Sequence, residues 1–202
     1  MSESIFTEDG PIRPAALIAA YRSGMFPMAL SRHGEIGWFS PDPRGVLPLD
    51  EFHIPHGLKR ALKKEPFEIR IDTAFGEVMD GCADRTSTWI SPEIKASYVR
   101  LFELGYGHSV ECWRDSELCG GLYGIAIGGV FFGESMFSRK TDASKIALVA
   151  LIDRMKVNGF RLLDTQWSTP HLAQFGCREM PRHEYLRQLN AALLVNPEFS
   201  NQ

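Results

Sequence analysis

Apolar and polar positions follow the order strand, helix, strand in the middle of the chain. Val130 to Phe137 is rich in β-branched and aromatic residues, which is typical of a buried strand. Apolar residues then recur at helical spacing after Thr141 and Asp142, either of which is a candidate helix cap, and Gly159 stands where a helix is expected to end. Phe160 to Gln166 predicts the next strand. The pattern therefore predicts a βαβ unit with two parallel strands and a right-handed crossover.

Polar side chains lie toward the carboxyl ends of both predicted strands. Glu134 and Ser135 belong to the first strand, and Asp164 and Gln166 end the second. Because ligands of α/β sheets bind beyond the carboxyl ends of parallel strands, these side chains are expected to converge on one rim. Asp164 and Gln166 alternate with Thr165, so they are expected to face the same side of their strand. The alternative is that they only hydrogen-bond loops at the end of the sheet.

The flanking segments predict further strands and helices. Strands are expected at Phe67–Ile71, His108–Trp113 and Leu118–Ile127, and helices are expected to begin near Pro14, Pro55, Asp72, Pro92, Pro170 and Pro181. Turns at 115–116 and 128–129 join the strands around the centre of the chain into a meander, and Pro66 ends the helix that starts at Pro55. Antiparallel strands leading into a parallel pair predict an α/β (α+β) sheet of mixed direction, as in acyl-transferring folds by analogy.

The N-terminal segment has a different character. Met25 to Met28 predicts an exposed apolar corner that is followed by a turn at Gly34. Trp38 to Arg44 contains two prolines around Asp42, which excludes a central strand or a helix interior. It is either a packed connector or a binding wall. We place a boundary near Arg44, which gives a small N-terminal lobe (1–44) and a main domain (45–202).

Charge adds one local feature to this pattern. The chain has 202 residues, is 44% hydrophobic and carries a formal net charge of −3, so no overall basic field indicates nucleic acid. The one basic cluster lies on the predicted helix that ends at Lys64, where Lys59 is followed by Lys63, and Arg60 by Lys64, at helical i, i+4 spacing. Like charges so placed repel unless an anion offsets them, which favours a phosphate-rich partner. The alternative, a merely solvated face, is the commoner explanation of such charge runs.

Composition excludes several other classes of protein. No run approaches the roughly 18 apolar residues of a membrane span, and Met1 to Gly10 lacks the apolar core of a signal peptide. The four cysteines form no C-x-x-C pair, so we expect reduced thiols in a cytoplasmic protein. The six histidines are scattered, so we expect no metal site.

Several motifs together resemble a known family. They are Tyr21-Arg22-Ser23-Gly24-Met25-Phe26-Pro27, Trp38-Phe39-Ser40-Pro41-Asp42-Pro43-Arg44, Gly133-Glu134-Ser135-Met136-Phe137-Ser138, Ala143-Ser144-Lys145 and Leu163-Asp164-Thr165-Gln166. In this order and spacing, over about residues 16 to 187, they are similar to the leucyl/phenylalanyl-tRNA–protein transferases. The resemblance implies transfer of Leu, Phe or Met from aminoacyl-tRNA to the N-terminal amine of a protein, which marks that protein for degradation. It also implies a GNAT-like domain behind a small N-terminal lobe, with no cofactor.

The same resemblance implies roles for individual residues. The family's D-x-Q motif falls on Asp164 and Gln166 as the catalytic pair, and the tryptophan that flanks the terminal adenine of the tRNA falls on Trp89. The apolar pocket for the aminoacyl side chain, with Glu134 beside it, falls on Leu122, Phe131, Met136, Leu151 and Leu163, and the tRNA-contacting helix is the one that holds Arg60, Lys63 and Lys64.

Three positions depart from the family pattern. Met28 stands where a second adenine-flanking tryptophan is common, so one aromatic face is missing. His56 stands where an arginine is usual, which weakens one phosphate contact near neutral pH. An upstream Gly-Gly-Asp-Leu-Ser segment is absent, and Thr7 to Pro11 is all that remains there.

The expected reaction needs no covalent intermediate, because an aminoacyl ester is already activated. We expect the Gln166 side-chain oxygen to accept a hydrogen bond from the attacking amine and Asp164 to orient Gln166. The carboxylates of Glu134 and Asp164 would suit an acceptor that begins with Arg or Lys.

Two other classes of function remain as alternatives. A CoA-dependent N-acetyltransferase normally cradles pyrophosphate on a glycine-rich turn, whereas Ser138 to Asp142 contains no glycine. A non-catalytic RNA-binding module would use the basic helix but would leave the polar rim at Asp164 and Gln166 without a purpose.

Overall fold

The computed structural model describes residues 10–31, 35–64 and 67–200. Gly34 and Pro66, which were expected to form a turn and to end a helix, lie outside these ranges. The helices are α1 Pro14–Arg22, α2 His56–Lys64, α3 Phe75–Ala83, α4 Pro92–Glu103, α5 Ala143–Asn158, α6 Pro170–Ala173 and α7 Arg182–Ala192. The strands are β1 Phe26–Ala29, β2 Ile36–Phe39, β3 Arg44–Leu47, β4 Glu68–Ile71, β5 Gly107–Arg114, β6 Glu117–Ile127, β7 Val130–Ser138, β8 Leu162–Gln166 and β9 Arg178–Met180.

The main sheet has mixed direction, as the sequence predicts. Its described strands lie in the order β4-β5-β6-β7-β8-β3-β9. Strands β7 and β8 are parallel, and the other neighbours are antiparallel. Helices flank the sheet on both faces: Leu122 of β6 packs in a core with residues of α5, whereas the next residue, Tyr123, packs in a second core with residues of α3 and α4. The mixed α/β fold class is therefore confirmed.

The two parallel strands of the βαβ unit separate and leave a cleft between them. Strands β7 and β8 pair only from Val130–Leu162 to Phe132–Asp164. Beyond that point β7 continues against β6 as far as Ser138, whereas β8 ends at Gln166. The two parallel strands therefore separate at their carboxyl ends, and α5 begins beside the gap.

The cap of α5 differs from the prediction. Asp142 occupies the cap position with φ of 62° but makes no capping hydrogen bond with its side chain. The Ser138 hydroxyl instead accepts the N–H of Ser144 at 2.9 Å, so the cap comes from the end of β7. At the other end, Gly159 adopts φ of 83°, which confirms the predicted helix end.

Helix α3 also begins later than predicted. Asp72 has φ of 59°, and its carboxylate accepts the N–H of Ser109 and hydrogen-bonds His108 Nδ1, so it does not cap a helix. The N–H groups of Thr73 and Ala74 instead donate to the buried carboxylate of Glu111 on β5. By contrast, Ser91 caps α4 as its Ser-Pro sequence predicts, since its hydroxyl accepts the N–H of Ile94 at 3.2 Å.

The N-terminal segment forms more regular structure than expected. Strands β1 and β2 pair antiparallel, and Phe26 is 2% exposed, so the prediction of an exposed corner is wrong there. Leu17, Tyr21 and Phe26 belong to the same hydrophobic core as Phe132 of the main sheet. The division at residue 44 remains a prediction; Arg44 itself is the first residue of β3.

Candidate active site

The gap between β7 and β8 is a cavity of about 710 Å³. Strand β6 contributes Leu122 and Tyr123, β7 contributes residues 133–138, and β8 contributes Leu163, Thr165 and Gln166. Helix α5 supplies Leu148 and Leu151, while the N-terminal segment supplies Phe26 and Met28. The cavity therefore lies at the carboxyl ends of the parallel strands, where the sequence places the polar rim.

One wall of the cavity is apolar. Leu122, Met136, Leu151 and Leu163 all line it, as the resemblance implies. Phe131 does not line it. Its side chain is fully buried in the same core as Leu122 and Leu151, where it stacks on Phe199 with ring centroids 5.1 Å apart. We therefore remove Phe131 from the predicted pocket, because the C-terminal segment covers it.

The floor of the cavity holds a carboxyl group between tyrosines. The Tyr21 hydroxyl donates to Glu134 Oε1 at 2.6 Å, and the Tyr98 hydroxyl donates to Oε2 at 3.2 Å, while the two hydroxyls also contact one another. Burial raises the pKa of Glu134 to about 8, although the two tyrosine hydrogen bonds oppose the rise. Glu134 is therefore protonated over much of the neutral range. Sequence reasoning missed Tyr98, whose position in the middle of α4 carries no signal of this contact.

Asp164 and Gln166 are close together but lie in different surroundings. Gln166 lines the cavity, whereas Asp164 does not and is 0% exposed. Arg44, 1% exposed, binds Asp164 with two hydrogen bonds, Nε to Oδ1 at 2.9 Å and Nη2 to Oδ2 at 2.6 Å. The expectation that both side chains lie on an open rim is therefore wrong for Asp164, because β3 and α7 cover that side of β8.

Met28 and Trp89, the two positions that the resemblance assigns to the terminal adenine, both lie at the cavity. Both line it, and the N–H of Ala29, next to Met28, donates to the carbonyl of Trp89 at 3.2 Å. Arg60, Lys63 and Lys64 lie elsewhere: they are exposed on α2 and do not line the cavity. Helix α2 contacts α5, the helix whose other residues form part of the apolar wall.

Several buried polar atoms of this cavity have no hydrogen-bond partner within the protein. Within the described ranges, three buried side-chain atoms have no hydrogen-bond partner: Tyr123 Oη, Gln166 Nε2 and His171 Nε2. All three residues line the cavity. Burial, assisted by nearby Lys145, lowers the pKa of His171, so its ring is neutral at pH 7. Because buried polar groups are almost always paired in folded proteins, these three atoms are available to hydrogen-bond water or a polar ligand in the cavity.

Other classes of site find no support in the described part of the chain. It contains no group of three or more His, Cys, Asp or Glu residues that could hold a metal ion. Across residues 10–31, 35–64 and 67–200, no helix is long and apolar enough to cross a membrane. The turn from Ser138 to α5 contains no glycine that would let a pyrophosphate approach the backbone.

By fold analogy, a mixed sheet whose two parallel strands separate over a cavity with an apolar wall and several polar side chains resembles that of acyl-transferring α/β enzymes. Comparison with known families agrees: the family model described as leucyl/phenylalanyl-tRNA protein transferase matches residues 46–190. The model of the N-terminal domain of the same family matches residues 10–42. The chain therefore belongs to the leucyl/phenylalanyl-tRNA–protein transferase family, and it is an aminoacyltransferase.

The similarity to individual members of this family extends over most of their length. A protein from Akkermansia muciniphila is 56% identical over 187 residues, which cover 90% of this chain and 96% of that protein. One from Paramagnetospirillum magneticum is 55% identical over 188 residues, covering 91% of this chain and 90% of the relative. One from Salinibacter ruber is 50% identical over 188 residues, covering 93% and 83%. All three are named leucyl/phenylalanyl-tRNA–protein transferase.

Proposed function

We propose that this chain transfers leucine, phenylalanine or methionine from aminoacyl-tRNA to the N-terminal amine of proteins that begin with a basic residue, which creates a degradation signal. The observation that carries the proposal is the cavity itself. Its apolar wall suits an aminoacyl side chain, and its unpaired polar atoms lie where the ester and the incoming amine must meet.

The apolar wall selects the amino acid by shape. Leu122, Met136, Leu151 and Leu163 come from three strands and one helix, and none carries a polar side-chain group. A wall of this kind accepts unbranched-at-Cβ apolar side chains and rejects charged ones, which would lose their hydration. Discrimination among Leu, Phe and Met is modest, since a methylene group is worth only about 1–3 kcal/mol in such a pocket.

The terminal adenosine fits between Met28 and Trp89. Trp89 offers an aromatic face for stacking, while Met28 offers a polarisable but non-aromatic one. Base–aromatic stacking is worth roughly 1–3 kcal/mol per base, so one face of the adenine is held less firmly here than between two tryptophans. The exposed side chains of Arg60, Lys63 and Lys64 on α2 would then neutralise phosphates farther along the tRNA.

Gln166 is the group best placed to act on the reacting atoms. Its side-chain oxygen accepts a hydrogen bond from the attacking α-amine, and Nε2–H, which has no protein partner, donates to the ester carbonyl as negative charge develops there. The amine nitrogen forms the new amide bond, the ester C–O bond breaks, and the leaving 3′-oxygen of the ribose takes the proton. An amide is too weak a base to remove that proton by itself, so Gln166 positions the amine and polarises the ester.

Glu134 suits a basic acceptor residue. A cation in the cavity would favour ionisation of Glu134 and bind the resulting carboxylate, whereas an acidic acceptor would gain no such ion pair. Asp164 does not share this role, because its charge is compensated by Arg44 and it does not line the cavity. We therefore assign the basic acceptor residue to Glu134 alone, and not to Glu134 and Asp164 together as the sequence suggests.

The proposed aminoacyl-tRNA donor also determines which cofactor and which cellular compartment we expect. An aminoacyl ester supplies its own activation, so the reaction requires no cofactor. We place the enzyme in the cytoplasm because charged tRNA occurs there. Family membership and the glycine-free turn before α5 both favour this donor over acetyl-CoA.

The acceptor preference can be tested with labelled Leu-tRNA and four peptides that differ only in a first residue of Arg, Lys, Asp or Ala. We expect label on the Arg and Lys peptides and little on the others. A Glu134→Gln variant should lose this preference while still using Leu-tRNA. Label on the Asp peptide alone would contradict the proposed acceptor class, and label on none would contradict the proposed reaction.

A further inference from the structure

A buried assembly of polar groups stands directly behind Gln166. Besides its two hydrogen bonds with Arg44, Asp164 accepts a third at 2.6 Å from the hydroxyl of Tyr185 on α7. The guanidinium of Arg44 lies between two rings, 4.9 Å from the centroid of Phe26 and 4.5 Å from that of Tyr185. Its Nη1 donates to the carbonyl of Gly24 at 3.0 Å. The charges are thus paired and enclosed by aromatic surface, so neither is free to move.

The same assembly holds the backbone of Gln166. Asp164 Oδ1 accepts the N–H of Gln166 at 2.8 Å. Gln166 has φ of 59°, a left-handed conformation that costs a non-glycine residue on the order of 1–2 kcal/mol and persists only where neighbours enforce it. Gly45, which pairs with Gln166 across the sheet, allows the chain to turn there, because a Cβ on Gly45 would lie 2.3 Å from the backbone carbon of Trp167. A strained backbone that is fixed on two sides aims the Gln166 side chain into the cavity.

We propose that Arg44, Asp164 and Tyr185 are positioning residues that lock the left-handed turn at Gln166 and so aim its amide at the reacting ester. Asp164 then acts through the backbone N–H of Gln166 and carries no proton in the reaction. Both of its oxygens are engaged by Arg44, and it does not reach the cavity. Burial and the charge of Asp164 raise the pKa of Tyr185 well above its ordinary value, so the hydroxyl remains a donor at working pH.

The mildest test removes one hydroxyl from the assembly. Tyr185→Phe keeps the ring that lies on Arg44 and deletes only the hydrogen bond to Asp164. This test rests on the proposed function. We expect kcat for leucyl transfer to fall about tenfold while KM for Leu-tRNA stays unchanged, because the donor is bound by other surfaces. Tyr106→Phe is the matched control, since Tyr106 does not line the cavity. Arg44→Lys, which keeps the charge but loses the two-point contact with Asp164, should lower kcat in the same way.

A double-mutant cycle separates positioning from a general loss of structure. If Tyr185 acts through Gln166, then Tyr185→Phe should cost nothing further in kcat once Gln166→Ala has removed the amide. An equal fold-loss in both backgrounds would overturn the proposal. So would a rise in KM with kcat unchanged, or wild-type kcat in both Tyr185→Phe and Arg44→Lys.

A second readout does not depend on activity. Hydrogen exchange at the backbone N–H of Gln166 should be at least about tenfold faster in Tyr185→Phe than in the wild-type protein, while exchange at Leu163 stays the same. If the wild-type protein transferred no leucine, the proposed function would fail and this exchange measurement would still decide the positioning role. Unchanged exchange at Gln166 would overturn that role whatever the enzyme does.

Discussion

Replacing Glu134 with glutamine should change how the stability of the protein depends on pH. Burial raises the pKa of Glu134 from the ordinary 4.5 to about 8 in the folded protein. Between these values the folded state holds a proton that the unfolded state has lost. Stability contributed by this proton is therefore fully present below pH 4.5 and is lost as the pH rises toward 8.

The size of the effect follows from linkage. One proton bound by the folded state alone changes the free energy of unfolding by about 1.4 kcal/mol per pH unit, which would give about 4 kcal/mol between pH 5 and pH 8. Glu134 faces a cavity that solvent can enter, which reduces the cost of its charge, so we expect roughly 1–3 kcal/mol. Glu134→Gln resembles the protonated acid and cannot titrate. It should match the wild type near pH 5 and exceed its stability by that amount near pH 8.

Urea unfolding of both proteins at several pH values from 5 to 8 measures this difference, because the titration of all other groups cancels between them. Glu179→Gln, at an exposed position of β9, is the control and should show a flat difference from the wild type. A flat difference for Glu134→Gln as well would refute the argument that burial raises the pKa of this carboxyl group.

Three further predictions concern the donor. Arg60→Ala and Lys63→Ala should each raise KM for Leu-tRNA severalfold and lower the slope of log KM against log salt concentration by about 1, while KM for aminoacyl-adenosine stays the same. Lys156→Ala, at an exposed position of α5, is the control. Equal losses on both donors would mean that α2 is only structural. Met28→Trp should tighten aminoacyl-adenosine at least about fivefold by calorimetry, and unchanged affinity would place Met28 away from the adenine. Met136→Ala should widen the apolar wall and raise kcat/KM for Phe-tRNA relative to Leu-tRNA severalfold; an unchanged ratio would exclude Met136 from selection.

Local sequence patterns predict the parts of this fold that local forces determine. The Ser91-Pro92 start of α4, the Gly159 end of α5 and the 115–116 turn, in which both residues have positive φ, each depend on a few neighbouring residues. Strands β3 and β9 were missed because they are four and three residues long and exist only through pairing with distant parts of the chain.

The candidate site shows the same limit more sharply. Strand alternation predicts that Asp164 and Gln166 face the same side of their strand, but it reveals neither the left-handed turn at Gln166 nor what covers Asp164. Asp164 is enclosed because Arg44 lies 120 positions earlier and Tyr185 packs on it from α7. Tyr98 likewise meets Glu134 only through the packing of α4 on the sheet. The family resemblance predicts the residues of the apolar wall, whereas only the tertiary structure shows that Phe131 does not line the cavity.

The donor and the product together test the central claim most directly. The protein is incubated with equal amounts of Leu-tRNA and acetyl-CoA and one peptide that begins with arginine, and the product is sequenced by tandem mass spectrometry. The structure predicts a peptide extended by one leucyl residue at its N-terminal amine, with product formation abolished by ribonuclease treatment of the tRNA. An acetylated peptide, or leucine attached at a side chain, would contradict the proposed function.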